Sequence, residues 1–336
     1  MFFRQLFDRA TSTYTYLLAD PASGEAVLID PVLEMAERDL GLLRELGFTL
    51  VASIETHVHA DHVTGAWTLK QATGCQIVYP VAGGVEADRL VGAGDTIAFG
   101  GHTLEVRPTP GHTAGCTSYV AAGRVFTGDA LMVRGCGRTD FQQGDAATLF
   151  HSVWTQILSL PDDTVVYPGH DYKGRTASTV GEEKAHNPRL GGGRTVEQFT
   201  AIMDGLGLAY PARIHLALPG NKRLGKPFSW TPRPRSTSGA PQCTIDWVAD
   251  NSDAVRLVDV REPSEFEGPL GHVHNAELVP LATVAETTAS WPREEPVVLI
   301  CRRGGRSDRA ALTMESMGFQ RVASMTGGME QWAARA

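Results

Sequence analysis

The sequence predicts an α/β protein in two domains, on three observations. Its 336 residues exceed what most single hydrophobic cores hold. Short β-runs alternate with amphipathic helical stretches along most of its length. One stretch, "GKPFSWTPRPRSTSGAPQ" (225–242), is rich in Pro, Ser, Gly and Thr and has no apolar period, so it reads as a linker. The expected boundaries are residues 1–225, a linker at 226–242, and a second domain over 243–336.

In the first domain, "TYTYLLA" and "GEAVLID" read as the strands of a hairpin, and "MAERDLGLLRELG" has helical spacing. "LVASIET" is a buried strand, "DHVTGAWTLKQATG" a helix and "CQIVYP" a strand. "DTIAFGGHTLEVRPTPG" and "TSYVAAGRVFTGD" are hairpins, "AATLFHSVWTQILSLP" is a helix, and "TVVYPGHD" is a strand that ends at a histidine. Beyond the linker, helix "TIDWVAD", strand "RLVDV", helix "LATVAETTA", strand "PVVLIC", helix "SDRAALTMESMG", strand "VASMTG" and helix "MEQWAAR" follow in turn. That rhythm predicts a small open parallel sheet covered on both faces.

Hydrophobic residues at 42% and charged residues at 20% suit ordinary cores and exclude a largely disordered chain. A net charge of −8 argues against nucleic-acid and membrane-surface binding, which need clustered positive charge. The start, "MFFRQLFDRA", is broken by charge before it reaches signal-peptide length, and no run approaches a membrane span. Cys75, Cys116, Cys136, Cys243 and Cys301 are odd in number and form no CxxC pair, as expected of reduced thiols in a cytoplasmic protein. The sequence is compatible with an oligomer.

His57, His59, Asp61 and His62 fall within six residues, between a strand and a helix. Imidazole and carboxylate are natural ligands for a borderline divalent metal. The pattern recurs at His112 in "TPGHTAG", Asp129 in "FTGDAL" and His170 in "YPGHDY", each after a strand and beside glycine. Seven potential ligands fit one ion or two, and counting alone leaves both open.

A second reactive position lies in "VVLICRRGGRS". Cys301 ends an apolar strand before a glycine-containing loop and a helix, where open α/β sheets bind ligands. Loop N–H groups and a helix N-terminus there would stabilise a thiolate. Arg302, Arg303 and Arg306 add positive charge around Gly304 and Gly305.

"THVHADH", "GHT", "TGD" and "PGHD", in this order across residues 1–225, resemble the metallo-β-lactamase superfamily and, within it, the glyoxalase II branch. The resemblance implies an αββα sandwich with one or two metal ions at its edge. A dinuclear hydrolase would use His57, His59 and His112 at one ion, Asp61, His62 and His170 at the other, and Asp129 as a bridge to generate hydroxide. A mononuclear centre would use His57, His112 and Asp129, a set that leaves positions for substrate and O2 on Fe(II). "LMVRGCGRTDFQQGDAATLFHSV" (131–153) and "FFRQLFDRATSTYTYLL" resemble persulfide dioxygenases. That implies one non-haem Fe(II) per chain and oxidation of glutathione persulfide by O2 to sulfite and glutathione. His59, Asp61, His62 and His170 would then orient ligands or water, or hold a second metal in the hydrolase case. The family's glutathione contacts fall on Arg138 and Tyr172, with Arg134 and Lys173 as lesser candidates; the alternative for Arg138 is a structural pair with Asp140.

"LVDVREPSEFEGPLGHV" and the Cys301 loop resemble rhodanese over residues 243–336, with Asp259 and Arg261 as scaffold. Cys301 and Arg306 are spaced C-x4-R, tighter than the C-x5-R of related phosphatases. That favours sulfur transfer between thiosulfate and glutathione through a Cys301 persulfide, with Arg302 and Arg306 steering the anion. The whole chain thus resembles a fused dioxygenase and sulfurtransferase that handles glutathione persulfide, O2, glutathione, thiosulfate and sulfite. Alternatives are a dinuclear glyoxalase II-like thioester hydrolase with an accessory rhodanese module, and a C-terminal domain that only docks a sulfur-carrying partner.

Overall fold

The computed structural model describes residues 1–208, 213–232 and 234–335, without the side chains of His215 and Asp253. The chain divides into two compact units, Met1–Lys226 and Pro227–Ala336.

The first unit holds two six-stranded sheets. One takes β1 (Phe2–Asp8), β2 (Thr13–Ala19), β3 (Glu25–Ile29), β4 (Thr49–Ile54), β5 (Gln76–Pro80) and β6 (Arg89–Val91) in that order. The other takes β7 (Thr96–Phe99), β8 (His102–Pro108), β9 (Thr117–Ala121), β10 (Arg124–Gly128), β11 (Val165–Pro168) and β12 (Ser178–Thr179).

Alternation along the strands dictates the layers, because successive side chains point to opposite faces. Tyr16, Leu18, Val27 and Ile29 meet Phe99, Leu104, Tyr119 and Phe126 in a core between the sheets. Their neighbours Leu17, Ala19, Ala26 and Leu28 face outward onto Leu40, Leu43 and Leu69, from helices Ala36–Leu46 and Ala66–Thr73. On the far side, Val125 and Val166 pack against Leu149, Val153, Ile157 and Phe199. The result is the αββα sandwich.

Several elements differ from the sequence reading, among them two in the first sheet and its covering helix. "FFRQLFD" forms β1, paired along its whole length with β2; an edge strand tolerates its Arg4 and Gln5. The helix expected from Asp61 begins only at Ala66, because the preceding residues bond elsewhere.

In the second unit, β13 (Gln242–Cys243), β14 (Arg256–Asp259), β15 (Glu277–Leu278), β16 (Val297–Ile300) and β17 (Val322–Met325) form a parallel sheet in the order β13-β17-β16-β14-β15. Both faces are apolar, as parallel sheets require: Val258, Val297 and Leu299 pack on Ala310 and Met314, and Leu257, Val298 and Ile300 on Val248 and Met329. Much of the stretch expected as a linker bonds to this unit. Trp230 packs edge-on to Trp247 at 5.5 Å, Arg235 grips Glu315 at 2.7 and 2.9 Å, and the Ser238 hydroxyl donates to Asp308 at 2.6 Å. Arg233 lies outside the described residues.

Beneath this sheet's carboxyl edge, Arg261 and Asp259 form a fully buried pair. Arg261 Nη2 donates to Asp259 Oδ2 at 2.7 Å, and Nε reaches both carboxylate oxygens at 2.9 Å. Further donations to the carbonyls of Glu265 and Gly271 spread the charge. Removing one partner strands the other in a dry site. Arg261→Leu is therefore expected to destabilise this unit by about 3–5 kcal/mol, read as a lower denaturation midpoint.

Candidate functional site

Strand direction gathers the site. β9 runs antiparallel to β8 and to β10, and β11 runs parallel to β10, so β8, β10 and β11 all end at one edge. Just past those ends lie His112, Asp129 and His170. The loop after β4 joins them through Thr117 N–H donating to Thr56 O at 2.9 Å and Tyr119 Oη–H to Glu55 O at 2.8 Å. That loop is pinned by a residue with no motif context: Asn221 Nδ2 donates to the carbonyls of His59 and His62 at 2.8 Å, and Oδ1 accepts from Thr64 N–H at 2.7 Å. Residues 59–64 are thereby held out of the helix.

His57, His112 and Asp129 bring one donor atom each to within 4.8 Å of one another. The Thr56 hydroxyl gives its one hydrogen to Asp30 Oδ2 at 2.8 Å, so at 2.9 Å from His57 Nδ1 it accepts. The lone pair of His57 is then on Nε2. His112 Nδ1 lies 2.6 Å from the Arg138 carbonyl, which only accepts, and this also leaves the lone pair on Nε2, 3.7 Å from Asp129 Oδ2. Gly137 is required here: a Cβ would stand 2.7 Å from the His112 ring and from Asp129 O. Two neutral imidazoles and a carboxylate fit a divalent cation. Burial, reinforced by His59 and His112, pushes His57 well below the usual histidine range. Burial alone would raise Asp129, but His170, His112 and His57 overcome it and hold the carboxyl low.

Of the other four candidates, Asp61 ties His62 and His170 together, while His62 Nε2 is buried without a hydrogen-bond partner among the described residues. His170 donates Nδ1–H to Asp129 Oδ1 at 2.7 Å and faces Asp61 Oδ2 through Nε2 at 3.0 Å. Asp61 Oδ2 also meets His62 Nδ1 at 3.0 Å and the Thr13 hydroxyl at 3.4 Å. His59 turns away, with Nε2 3.2 Å from Asp30 and 3.5 Å from Glu55. His59, Asp61 and His62 still form a second set of donor atoms within 4.8 Å.

Above the three converging residues opens a cavity of about 650 Å³, lined by Arg134, Arg138, Tyr172, Lys173, Arg189 and Arg213 among others. Such a rim suits an anionic substrate. Arg138 holds Asp140 through Nε and Nη2 at 2.6 and 2.7 Å and lies over the Phe141 ring, so the pair with Asp140 and a place on the cavity wall coexist. Tyr172 is 69% exposed, its ring parallel to that of His170. Arg134 is tied to Glu182 and Glu183. All five cysteines are buried and unpaired, and Cys136 lines the cavity.

In the second unit, Cys301 follows β16. Gly304 N–H donates to its sulfur at 3.1 Å, a reach made with Gly304 at φ 107°, where a side chain is strained. Ser307, which sequence reading passed over, lies 3.3 Å from the same sulfur and donates to Gly304 O at 2.9 Å. Helix Gly305–Ser316 starts at this loop. Arg302 and Arg303 share Glu330 at 2.9 and 2.7 Å, whereas Arg306 is held in a bidentate pair by Glu265.

The αββα sandwich with this site at its edge defines a metallo-β-lactamase-type protein. Residues 8–170 match the metallo-beta-lactamase superfamily and residues 244–335 the rhodanese-like domain. Persulfide dioxygenase ETHE1, mitochondrial, of Mus musculus is 52% identical over 225 residues, covering 66% of this chain and 88% of that protein. The crystal structure of ETHE1 from Myxococcus xanthus superposes with a TM-score of 0.66 at 50% identity, covering 67% of this chain and all of that one. A Staphylococcus aureus metallo-beta-lactamase structure, 22% identical, shares the fold over 97% of this chain and 98% of its own, with a TM-score of 0.62. The chain belongs to the persulfide dioxygenase family of the metallo-β-lactamase superfamily and carries a rhodanese-like domain. Among the described residues, no helix is long and apolar enough to cross a membrane.

Proposed function

We propose that the first domain is a mononuclear iron dioxygenase that converts glutathione persulfide, O2 and water to glutathione, sulfite and two protons. One observation carries this reading: His57 and His112 present free Nε2 lone pairs beside Asp129, a two-histidine, one-carboxylate set, while Asp61 and His170 are bound to each other. His57, His112 and Asp129 would hold one Fe(II), which supplies the one-electron chemistry that lets O2 react with a sulfur anion. The chain's own residues contribute position. His170 steadies Asp129 from behind, the Thr56 and Arg138 oxygens fix the two imidazoles, and the basic rim receives the carboxylates of glutathione. Purified protein with about one iron per chain and persulfide-dependent O2 uptake supports the assignment; two zinc ions and no uptake would sink it.

Arg138 and Tyr172 are assigned to the glutathione moiety. Losing a charge-assisted contact costs roughly 1.5–3 kcal/mol, so Arg138→Ala is expected to raise KM for glutathione persulfide on the order of 10- to 100-fold. Iron content should stay unchanged, which separates this effect from collapse of the centre.

The second domain is assigned as a sulfurtransferase acting through Cys301. The Cys301 thiolate attacks the outer sulfur of thiosulfate, the new S–S bond forms as the old one breaks, and sulfite leaves with the bonding pair. A thiolate of glutathione then takes the sulfane sulfur. Gly304 N–H stands where it can stabilise sulfur in either anionic form, and Ser307 braces the loop by donating to Gly304 O.

A further inference from the structure

The loop arginines divide into two kinds. Arg302 and Arg303 have side chains 57% and 73% exposed, and they share the one carboxylate of Glu330, each on a different oxygen. Exposed pairs of this kind fix little. The Arg306 side chain is 33% exposed, and its Nη1 and Nη2 each reach a different oxygen of Glu265 at 2.6 Å. A two-point grip fixes the plane of a guanidinium as well as its position. End-on pairing uses one hydrogen on each Nη, so Nε–H and one hydrogen on each Nη remain for another anion.

Glu265 is itself fixed. Its side chain accepts from Glu262 N–H at 3.3 Å in a capping box that starts helix Pro263–Phe266. Its carbonyl accepts from Arg261 Nη1 at 2.9 Å, and Arg261 is locked to Asp259 in the core. A continuous chain of contacts thus runs from the buried Asp259 through Arg261 and Glu265 to Arg306, which stands in the first turn of helix Gly305–Ser316, directly after the Cys301 loop. The two motifs "DVREPSEF" and "CRRGGRS" are far apart in sequence, and this carboxylate joins them.

We propose that Glu265 is a positioning residue for sulfur transfer, holding Arg306 at the mouth of the Cys301 loop so that its remaining N–H groups meet the sulfonate oxygens of thiosulfate. The proposal rests on the sulfurtransferase reading of the second domain. The thiolate attack, S–S exchange and departure of sulfite proceed unchanged; Glu265 takes no proton and forms no bond. It spares Arg306 the ordering that an exposed arginine undergoes on binding, which is what preorganisation means here. Glu265 is held down at about 2 by the hydrogen bond from Arg306 first of all, so the pair stays ionised at neutral pH.

The test uses the full chain with Glu265→Gln, Glu265→Ala, Arg306→Ala and the double variant Glu265→Ala/Arg306→Ala. Glutamine can still close the capping box, so Glu265→Gln removes the charged grip while keeping the helix start. Thiosulfate:cyanide sulfurtransfer is expected to show KM for thiosulfate raised about 10-fold in Glu265→Gln, with kcat moved much less. In the Arg306→Ala background, Glu265→Ala should add less than about twofold, because the two residues act as one unit. Rates of Cys301 alkylation by iodoacetate and by iodoacetamide give a second readout. At about 0.15 M salt, where the screening length is about 8 Å, the iodoacetate preference should fall in Glu265→Gln as it does in Arg306→Ala, with the iodoacetamide rate unchanged. A rise in that preference is what a carboxylate that merely neutralises Arg306 would give, and it overturns the proposal. So do losses that multiply in the double variant. If the unmodified chain transfers no sulfur from thiosulfate, the sulfurtransferase reading fails, and the alkylation ratio still decides for Glu265.

Discussion

Asp129→Asn is expected to empty the metal centre and abolish persulfide-dependent oxygen uptake. Asp129 supplies the only carboxylate within 4.8 Å of both His57 and His112 donor atoms in that set, and it accepts from His170 at 2.7 Å. An amide removes the charge that a divalent cation needs and faces His170 with a neutral partner. Changing a residue behind a ligand typically costs 10–100-fold in metal affinity or activity, so losing the ligand itself should cost more than about 10²-fold. Asp61→Asn gives the contrast. In a mononuclear centre Asp61 is no ligand and acts through His170, His62 and Thr13, so iron stays at about one per chain and activity falls by no more than about 10–100-fold. A dinuclear centre would instead lose a metal equivalent in Asp61→Asn while keeping the other. Metal analysis of the two variants beside oxygen-electrode rates decides between these outcomes.

Much of this candidate site was legible in the sequence because its donor residues follow strands. Buried strands such as "LVASIE" and "TVVYP" announce themselves by apolar content, and a histidine or aspartate directly after one must stand at a sheet edge. Which donors converge was not legible. His59 lies two residues from His57, yet it faces Asp30 and Glu55 instead of Asp129, and only tertiary packing decides that. Asn221 was missed for the same reason: it bonds the loop from more than 150 residues away, and "LPGNKR" carries no local sign of it. Thr56 could have been suspected from its place beside His57, since a hydroxyl there can accept Nδ1–H. In the second unit the alternation of strands and helices gave the sheet and placed Cys301, but Glu265 reads as an ordinary charge in a turn. Its partner is 41 residues on.

The largest effect expected in the second domain is that of Cys301→Ser. Serine fills the same space and can receive the Gly304 N–H that Cys301 receives at 3.1 Å, so the loop should keep its shape. A serine hydroxyl is not ionised at neutral pH and forms no persulfide, so the covalent relay has no carrier. Sulfur transfer from thiosulfate should fall by at least about 10³-fold, the scale seen when a nucleophile is removed. Oxygen uptake with supplied glutathione persulfide should be unchanged, because His57, His112 and Asp129 belong to the other unit. The same variant reads the direction of the relay. If the domain feeds the dioxygenase, thiosulfate and glutathione alone should drive oxygen uptake in the unmodified chain and fail to do so in Cys301→Ser. If it consumes the product, glutathione persulfide and O2 should yield thiosulfate with the unmodified chain and sulfite alone with the variant. Retained sulfur transfer in Cys301→Ser would refute the catalytic assignment of Cys301.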